Sequence, residues 1–594
     1  MALPGITSFT EVDGAIGFTT SNIGLHVKLG TSTNGVANQI VSISNLNDAK
    51  TTFGSGELVD AIAVSLDINP SPVYAIRMNA SVVGSVTDII VDLQSGSDGA
   101  LATTGSTPLD TYQVIVQIVR AGKVGVNPYP TFVYSMDNGN TFSPETSVPG
   151  GGTFVIPQTG VTLVFSNGAT GFKTGDQFTF YTTGATWNNT DLSNALTALL
   201  ADSRQWEFVH VVGPCSAALA GTVDTFMNTA LTNKRFVFSI VEARDLNLLA
   251  KLVTAGNVFP MMFAGGEQLI IDISYDAGNT YTEQHSFTFP MGNIANIAAL
   301  VAALKVTTFT GGVFSVGNTG NELVLSIPSN AGKTVMKVNA GSTAVAAGLI
   351  RYTLGQLSDG ETEAAWETSL INDFVNFSSI RVNVCAGAAA IFSQATSRYN
   401  RRNIGSLVAA RTALIPISED LGNVQRGSLP DILLRLPDGQ PGVFHDEYTS
   451  PSLDAARFTT IRTIPGIQGY YITNGRMFAP NGSDFTYQQY RRVMNRAETL
   501  LNAAATRFIN TTVRTNSVGG TIYEVDARKI EKNIYAYMFG NMRQDVSNIN
   551  VVVDRNNNVY STLQINITAN IQPFGYAKFI TLTIGFAPVA VLGV

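Results

Sequence analysis

The sequence predicts a multi-domain protein that combines α/β and α+β parts with β-rich, sandwich-like insertions. Three observations lead to this prediction: the length of the chain, strand and helix patterns that recur at intervals, and long stretches that alternate without helical spacing. The 594 residues are enough for several domains, each with its own hydrophobic core. Charged residues are only 13% of the chain, which is typical of a surface that other protein covers.

An α/β pattern follows the first segment of the chain. ANQIVSIS (37–44) and VYAIRM (73–78) have the character of strands, and GELVDAIAVSLD (56–67) between them has helical spacing. The same alternation of strands and helices resumes in 191–243 and in 363–387. The elements of one α/β domain therefore occur in separate stretches of the sequence.

Two stretches between these elements differ in kind. Residues 85–187 and 264–345 are rich in Gly, Thr and Asn and lack helical periodicity, which predicts β-rich insertions. They share a motif, because SMDNGNTF (135–142) and SYDAGNTY (274–281) both fit Ser-x-Asp-x-Gly-Asn-Thr-aromatic. The repeat indicates related modules with similar turns. The residues predicted to shape the two turns are Asp137, Gly139, Asp276 and Gly278.

The strongest helical pattern of the chain covers residues 484–513. Its apolar stripe includes Tyr487, and four arginines lie off that stripe, Arg507 among them. We therefore expect Arg491, Arg492 and Arg496 on the surface of this helix.

A second helix and several strands follow this long helix. The helix is predicted over 526–538, with Ile530, Ile534 and Met538 on its buried face. Strands are predicted within 548–571, joined by a turn rich in asparagine.

These patterns divide the chain into predicted segments. Arms are expected at both ends, and two β-rich insertions separate the core domains. In chain order the segments are an N-terminal extended arm (1–20), a discontinuous α/β domain (21–84 with 188–263), a β-rich insertion (85–187), a second β-rich insertion (264–345), a C-terminal α+β core domain (346–574) and a C-terminal strand or arm (575–594).

The last stretch of the chain, 578–594, has no charged side chain after Lys578. Its apolar residues recur with a period of two, which predicts a half-buried strand. One face of that strand carries Ile580, Leu582, Ile584 and Phe586. Burying side chains of this kind contributes up to about 6 to 12 kcal/mol for the face, so we do not expect the strand to remain in water.

Two interpretations account for this strand. It can pair within its own chain, continuing the strands that begin near residue 550, or it can add to a sheet edge on another molecule. The opening segment ALPGITSFTEV is also extended and nearly uncharged, so both ends have the character of arms. The residues expected to make inter-subunit arm contacts are Ile6, Phe9, Val12, Ile580, Leu582, Ile584 and Phe586.

Net charge and hydropathy exclude several classes of partner. The net charge is −7 without a basic block, so we expect neither nucleic acid nor an anionic membrane surface to bind. The first residues lack the features of a secretory signal, and no apolar run is long enough to span a bilayer.

Cys215 and Cys385 lie in apolar contexts, which predicts buried thiols and no disulfide framework.

The sequence contains no clear motif for catalysis, a cofactor or a metal ion. SNAGKT (329–334) lacks the first glycine of a phosphate loop, and no GxSxG elbow is present. The histidines lack the spacing of zinc ligands; they are His26, His210, His285 and His445. We therefore predict that the protein is not an enzyme and has no catalytic, cofactor-binding or metal site.

The repeated motif leaves one alternative function open. Both copies match the Asp-box of sialidase-like propellers, in which the Asp and Gly shape a hairpin turn. A propeller would need more copies of the motif than the two in this chain. The alternative is a glycan-binding or glycan-cleaving surface protein with Asp-box β modules.

Five segments occur in an order that resembles one known family. They are PGITSFTEVDG (4–14), SISNLNDAKTTFG (42–54), GYYITNGRMFAP (469–480), NSVGGTIYEVDARKIEKNIYAYM (516–538) and IQPFGYAKFITLTIGF (571–586). In this pattern the chain resembles the sheath proteins of contractile bacteriophage tails, a family that also includes the sheaths of contractile injection systems.

The resemblance implies a structural subunit of a helical assembly. Such subunits polymerise as stacked hexameric rings around a tail tube, and their terminal arms complete sheets in neighbouring copies by β-augmentation. Contraction then drives the tube through the host envelope for genome ejection. The implied partners are further copies of the chain, the tail tube protein, the baseplate and the tail terminator. The implied location is the tail of the virion, after assembly in the cytoplasm of the bacterial host.

The resemblance also assigns positions to some residues. It makes Arg491, Arg492 and Arg496 candidates for a tube-facing surface, and the simpler alternative is an ordinary solvated helix face. The two β-rich insertions depart from the compact members of the family. We expect them to project outward, where they do not block stacking.

Overall fold

The computed structural model describes residues 23–436 and 439–585. The predicted arm residues Ile6, Phe9, Val12 and Phe586 lie outside these residues. The helices are α1 (Leu46–Phe53), α2 (Glu57–Ile68), α3 (Asn189–Ala201), α4 (Ala217–Thr232), α5 (Ile297–Leu304), α6 (Thr307–Thr310), α7 (Thr343–Ala346), α8 (Glu363–Asp373), α9 (Gly405–Leu414), α10 (Gln488–Thr506), α11 (Glu524–Met542) and α12 (Val559–Thr562), with one 3₁₀ turn at Val424–Arg426.

The strands are distributed along the whole described chain. Up to residue 263 they are β1 (His26–Gly30), β2 (Ile40–Ile43), β3 (Val73–Arg77), β4 (Ser85–Val86), β5 (Ile90–Asp92), β6 (Gly99–Ala102), β7 (Gln113–Arg120), β8 (Thr131–Ser135), β9 (Thr146–Ser147), β10 (Thr153–Val155), β11 (Thr162–Asn167), β12 (Gln177–Thr183), β13 (Phe208–Pro214), β14 (Phe238–Glu242), β15 (Leu249–Val253) and β16 (Met261–Phe263). After it they are β17 (Gln268–Ser274), β18 (Glu283–Thr288), β19 (Gly292–Ile294), β20 (Ser315–Thr319), β21 (Glu322–Pro328), β22 (Val335–Val338), β23 (Val382–Cys385), β24 (Ala388–Ser393), β25 (Arg398–Asn403), β26 (Ile461–Ile464), β27 (Ile467–Ile472), β28 (Val546–Val553) and β29 (Ile567–Pro573).

A central sheet has the strand order β2-β3-β1-β13-β14-β23. Neighbouring strands from β3 to β23 are parallel, and β2 runs antiparallel at one edge. These strands come from three separate stretches of the sequence, in agreement with the recurring strand and helix patterns. Strand β23 belongs to this sheet, although the segment boundary expected at residue 346 places it in the C-terminal domain.

Strand β13 illustrates why the central strands are mostly apolar. Val209 and Val211 belong to one core cluster with residues of α3 and α4, whereas Phe208 belongs to a second cluster with residues of α9. Helices therefore cover both faces of the sheet, and every residue of β13 before Pro214 is buried. A strand covered on both faces has a nearly continuous apolar sequence.

Local sequence determines where the helices beside the sheet begin and end. The Asn188 side chain accepts from the Asp191 N–H (3.1 Å) and the Asp191 side chain accepts from the Asn188 N–H (3.0 Å), a capping box that starts α3. Gly54 ends α1 with a φ of 73°, and a Cβ there would lie 2.1 Å from Thr33 Oγ1. Glycine fits this turn because it has no Cβ.

The first β-rich stretch contains strands β4 to β12. Their alternation matches the prediction: β7 and β12 bury every second residue, including Val114, Val116, Phe178 and Phe180. The aromatic rings share one core cluster with residues of β8 and β11. Antiparallel sheets with one buried face produce this period of two.

The second β-rich stretch differs from the prediction in two ways. It starts earlier than residue 264, because β15 pairs with β21. It also contains α5, so the prediction of a stretch without helical periodicity is wrong there. Asn296 caps α5 by accepting from the Ala299 N–H (2.9 Å), and Leu300 and Leu304 are fully buried. The many Gly and Thr residues around α5 concealed its short helical pattern.

The C-terminal part consists of α10 and α11 packed against a hairpin of β28 and β29. Ile530, Ile534 and Met538 of α11 are buried in this core, as predicted. Strands β28 and β29 pair antiparallel. The structure has no strand in 574–585, where the sequence predicts the last one.

Candidate assembly surface

The end of the chain is fixed to the protein surface up to Lys578. Tyr576 Oη donates to the Ser418 carbonyl at 2.5 Å. The Lys578 ammonium donates to Asp420 Oδ2 at 2.5 Å and to Asn474 Oδ1 at 2.7 Å. These contacts define the point from which the following residues leave the surface.

Residues 579–585 follow this anchor and carry exposed apolar side chains. The exposed fractions are 96% for Phe579, 76% for Ile580, 88% for Leu582 and 99% for Ile584. The segment pairs with no strand of the described chain, so the interpretation that it continues the chain's own sheet is wrong for these residues. The free energy falls by about 25 cal/mol for each Å² of apolar surface that is removed from water. A partner that covers this segment would therefore stabilise it.

The hairpin beside the anchor has free edges. Within the described residues, β28 and β29 pair only with each other. A groove of about 640 Å³ lies between β29 and the start of α10, and its lining includes Tyr487, Tyr490, Val493, Ala569 and Ile571. An edge strand with unpaired backbone groups is a template for a strand from another chain.

The three arginines of α10 do not form the exposed face that the sequence predicts. Arg491 and Arg492 are 1% and 2% exposed, and Arg496 is half-buried. Arg491 Nη2 donates to Glu498 Oε1 (2.9 Å), and Arg492 Nε donates to Glu207 Oε1 (2.6 Å). These glutamates stabilise the guanidinium groups inside the protein. The apolar stripe of the helix does not predict such pairs, because it depends on the apolar residues alone. A buried side chain cannot contact a tube, so Arg491 and Arg492 are withdrawn as tube-facing candidates.

A chain of buried polar groups crosses the central sheet. Lys28 Nζ lies 3.1 Å from His210 Nδ1, and His210 Nε2 lies 2.9 Å from Glu242 Oε1. Glu242 Oε2 also accepts from the Gly213 N–H at 2.8 Å. Burial raises the pKa of Glu242 to about 7 and lowers the pKa of Lys28 to about 7. Burial therefore shifts both end groups toward their neutral forms.

A cavity of about 520 Å³ lies at the carboxyl ends of β13 and β14. Open α/β sheets commonly bind ligands at this position. Its lining includes Glu57, Glu242, Arg401, Arg402 and Ser406. The guanidinium groups are paired inside the protein: Arg401 donates to Asp245 (2.5 Å) and Arg402 donates to Asp60 (2.7 Å). The arrangement joins α2, β25 and the central sheet, and sequence reasoning missed it because its members are far apart in the chain.

The repeated motifs form the same turn. In the first copy, Asp137 Oδ1 accepts from the Thr141 N–H (2.8 Å), and Ser135 Oγ accepts from the Gly139 N–H (2.8 Å). Both bonds recur in the second copy, from Thr280 to Asp276 (2.8 Å) and from Gly278 to Ser274 (2.9 Å). Gly139 and Gly278 both have a φ of 85°, which suits glycine. The carboxylates that an Asp-box presents are therefore occupied by the turn itself.

Replacing Asp137 with alanine is expected to lower the free energy of unfolding by about 2 to 3 kcal/mol. Asp137 is 5% exposed, and its loss leaves the buried Ser135 hydroxyl and the half-buried Thr141 N–H without an acceptor. The second copy supplies the control, because Asp276 is exposed and water can replace its carboxylate. Asp276→Ala is therefore expected to cost less, as measured by urea unfolding. Equal costs for the two variants would contradict this explanation.

The structure can be compared with two predictions made from the sequence, one on the cysteines and one on membrane-spanning segments. Cys215 and Cys385 are buried free thiols, which confirms the prediction for the cysteines. Among the residues that the structure describes, no helix combines the length and the apolar character needed to cross a membrane.

A family model matches the chain at residues 3–257 and 341–476. It is described as the DUF2586 N-terminal domain, and the matched residues make up more than half of the chain. The chain belongs to the DUF2586 family. The match includes the first β-rich stretch but omits residues 258–340, which make up most of the second.

Comparison with solved structures finds similarity to sheath proteins. A sheath tail protein from Listeria innocua has 9% identity and a TM-score of 0.40, with 93% of each chain covered. A sheath tail protein from Desulfitobacterium hafniense has 8% identity and a TM-score of 0.39, covering 96% of this chain and 100% of that one. The contracted helical sheath of the anti-feeding prophage has 9% identity and a TM-score of 0.43, covering 98% and 99%. Each of these three similarities has an identity below 10% and a TM-score below 0.45. No curated protein matches the chain.

Proposed function

We propose that the chain is a structural subunit of a contractile sheath, in a phage tail or a related injection machine. Its copies assemble as stacked hexameric rings around a tail tube and contract to drive the tube through the host envelope. One observation carries the proposal: the apolar segment 579–585 extends from an anchored point, is exposed, and has no strand partner in its own described chain. The order of segments that resembles sheath proteins supports a role for it as an arm.

Strand addition accounts for the composition of this arm. In an extended conformation, Ile580, Leu582 and Ile584 would lie on one face. At the edge of β29 in a second copy, the arm would supply the backbone hydrogen bonds that this edge lacks in the described chain. The groove beside β29, with Ala569 and Ile571 in its lining, would then cover the apolar face.

The other parts of the proposal concern partners and position. Residues 1–20 act as the second arm, through Ile6, Phe9 and Val12. The tail tube protein, baseplate and tail terminator are the further partners, and Arg496 is the remaining tube-facing candidate. The β-rich stretches project outward as insertions; the omission of 258–340 from the family match supports this for the second stretch. The subunit assembles in the host cytoplasm and acts in the tail of the virion.

Deleting residues 579–594 tests the arm. We expect the shortened protein to keep the circular dichroism of the full chain, because 579–585 pairs with no strand of that chain. We also expect it to lose the ability to form long tubes, as seen by negative-stain electron microscopy at high concentration. Tubes of normal length from the shortened protein would refute the arm mechanism.

A pair of point variants separates the apolar face from the rest of the segment. Ile580→Ser, Leu582→Ser and Ile584→Ser together remove that face and are expected to abolish long tubes. The matched control, Thr581→Ser with Thr583→Ser, changes the opposite face slightly and is expected to form tubes of full length. Loss of tubes in both variants would contradict a specific role for the apolar face.

A further inference from the structure

Helix α8 and the segment 443–447 bring together three side chains with the chemistry of metal ligands. Glu363 and Glu367 are one helical turn apart on α8, so they lie on the same face. His445 Nδ1 lies 3.0 Å from Glu363 Oε1 and 3.3 Å from Glu367 Oε1. One ligand atom from each of the three lies within 4.8 Å of the other two.

The distances fit a shared cation. An imidazole Nδ1 has at most one hydrogen to donate, yet here it faces two carboxylates. Zinc lies about 2.0 to 2.2 Å from nitrogen and carboxylate ligands, which in a tetrahedral site places neighbouring ligands about 3.3 to 3.6 Å apart. The separation from His445 Nδ1 to Glu367 Oε1, 3.3 Å, has this value, and the separation to the more exposed Glu363 Oε1, 3.0 Å, would have to widen slightly. Glu367 Oε1 also accepts from the Ser450 hydroxyl at 2.7 Å, and a cation between the three atoms would be its second partner.

A third carboxylate orients the imidazole from the other side. Glu447 Oε2 lies 3.0 Å from His445 Nε2, and Glu447 Oε1 accepts from the N–H groups of Ser452 and Asp454, both at 3.0 Å. A hydrogen on Nε2 that is donated to this carboxylate leaves the Nδ1 lone pair directed at Glu363 and Glu367. Metal-binding histidines commonly have such a carboxylate at their second nitrogen.

Burial makes the cluster rigid but leaves one side accessible. His445, Glu367 and Glu447 are 2%, 7% and 7% exposed, whereas the Glu363 side chain is 36% exposed. The Trp366 ring lies 5.6 Å from the imidazole and covers part of the site. The ion pairs that the described chain makes to the three carboxylates all come from His445. The cluster therefore has more negative charge than its one histidine balances, and an ion can enter past Glu363.

We propose that Glu363, Glu367 and His445 bind one Zn²⁺ ion, with Glu447 as the group that orients His445. Nitrogen and carboxylate ligands suit zinc, and three protein ligands leave a fourth position for water. The ion would fasten α8 to the segment 443–447. This segment is already held by the Phe444 N–H, which donates to the Ala388 carbonyl at 2.9 Å.

Titration of the full chain with Zn²⁺ and with Co²⁺ tests the site. After dialysis against a chelator, the wild-type protein is expected to bind one equivalent of Zn²⁺ and to melt at a higher temperature with the metal. Co²⁺ is expected to give visible absorption that Zn²⁺ abolishes. Glu363→Gln, Glu367→Gln and His445→Gln are each expected to weaken Zn²⁺ binding by at least 100-fold, and Glu447→Gln by about 10- to 100-fold.

A second glutamate–histidine pair supplies the control. His285 Nε2 lies 2.7 Å from Glu283 Oε1. Glu283→Gln is therefore expected to bind Zn²⁺ with wild-type affinity. The proposal is overturned if the wild-type chain takes up no stoichiometric Zn²⁺, or if the Glu363 and Glu367 variants bind it as tightly as the wild type. Glu363 is the most exposed ligand, so Glu363→Gln is expected to fold. This variant therefore tests the site even if Glu367→Gln fails to fold.

Discussion

Replacing Arg402 with alanine is expected to lower the free energy of unfolding by about 3 to 5 kcal/mol. The guanidinium donates to Asp60 at 2.7 Å and to Asp110 at 2.9 Å, and both carboxylates are 4% exposed. Asp60 lies on α2, Asp110 precedes β7 in the first β-rich stretch, and Arg402 lies on β25. Without the arginine, both carboxylates remain buried without a counter-charge. Urea unfolding followed by circular dichroism measures the loss.

A surface arginine and a neutralised cluster are the controls for this prediction. The Arg528 side chain is 75% exposed and pairs with Glu524 on α11, so Arg528→Ala is expected to cost less than about 1 kcal/mol. Glu57 Oε1 also lies 3.8 Å from Arg402 Nη1. Arg402→Met combined with Glu57→Gln, Asp60→Asn and Asp110→Asn therefore removes Arg402 and the three carboxylates paired with it, and is expected to recover most of the loss. The same unfolding midpoint for the Arg402 and Arg528 single variants would show that the cluster does not join these parts.

Replacing Arg492 with alanine is expected to destabilise the protein by a similar amount, about 3 to 5 kcal/mol. Arg492 donates to both Glu207 oxygens, at 2.6 and 3.2 Å, and to the carbonyls of Ile415 and Pro416, both at 3.2 Å. Glu207 is 5% exposed and also accepts from the Gly24 N–H at 2.6 Å. The variant would therefore leave a buried carboxylate unpaired between α10 and the start of the central sheet.

The end of the same helix offers a matched control. Arg507 is exposed at the end of α10 and lies 4.6 Å from the Tyr537 ring. Arg507→Ala is expected to cost about 0.5 to 1 kcal/mol. A double-mutant cycle with Arg492→Met and Glu207→Gln measures the coupling of the buried pair. Should Arg492→Ala cost no more than Arg507→Ala, the pair would not fasten the helix to the sheet.

Much of the fold follows from local patterns in the sequence. The strand and helix alternation of 37–78 predicts β2, α2 and β3, because the apolar residues of this stretch recur with the spacing of strands and of a helix. The eight-residue motifs predict two turns of the same structure. Strand β1 was missed, because HVKLG contains a histidine and a lysine although all five residues are buried.

Two of the errors arose where polar groups are buried. Helix α10 presents Arg491 and Arg492 to the interior, because Glu498 and Glu207 pair with them there. The apolar pattern of the helix therefore identified the helix but not its full buried face. The cluster of Glu363, Glu367 and His445 was also missed, since its members lie on a helix and on a distant loop.

The α/β pattern, the β-rich stretches, the repeated turns and the apolar character of the C-terminal segment can all be predicted from the residues alone. These properties depend on residue spacing and on hydrogen bonds between near neighbours. The pairing of distant charges in the interior, and the lack of a strand partner for residues 579–585 within the described chain, are visible only in the folded protein. Desolvation of a charge and pairing of a strand edge depend on groups that folding brings together. Because these groups are far apart in the sequence, no local pattern of residues predicts which of them will meet.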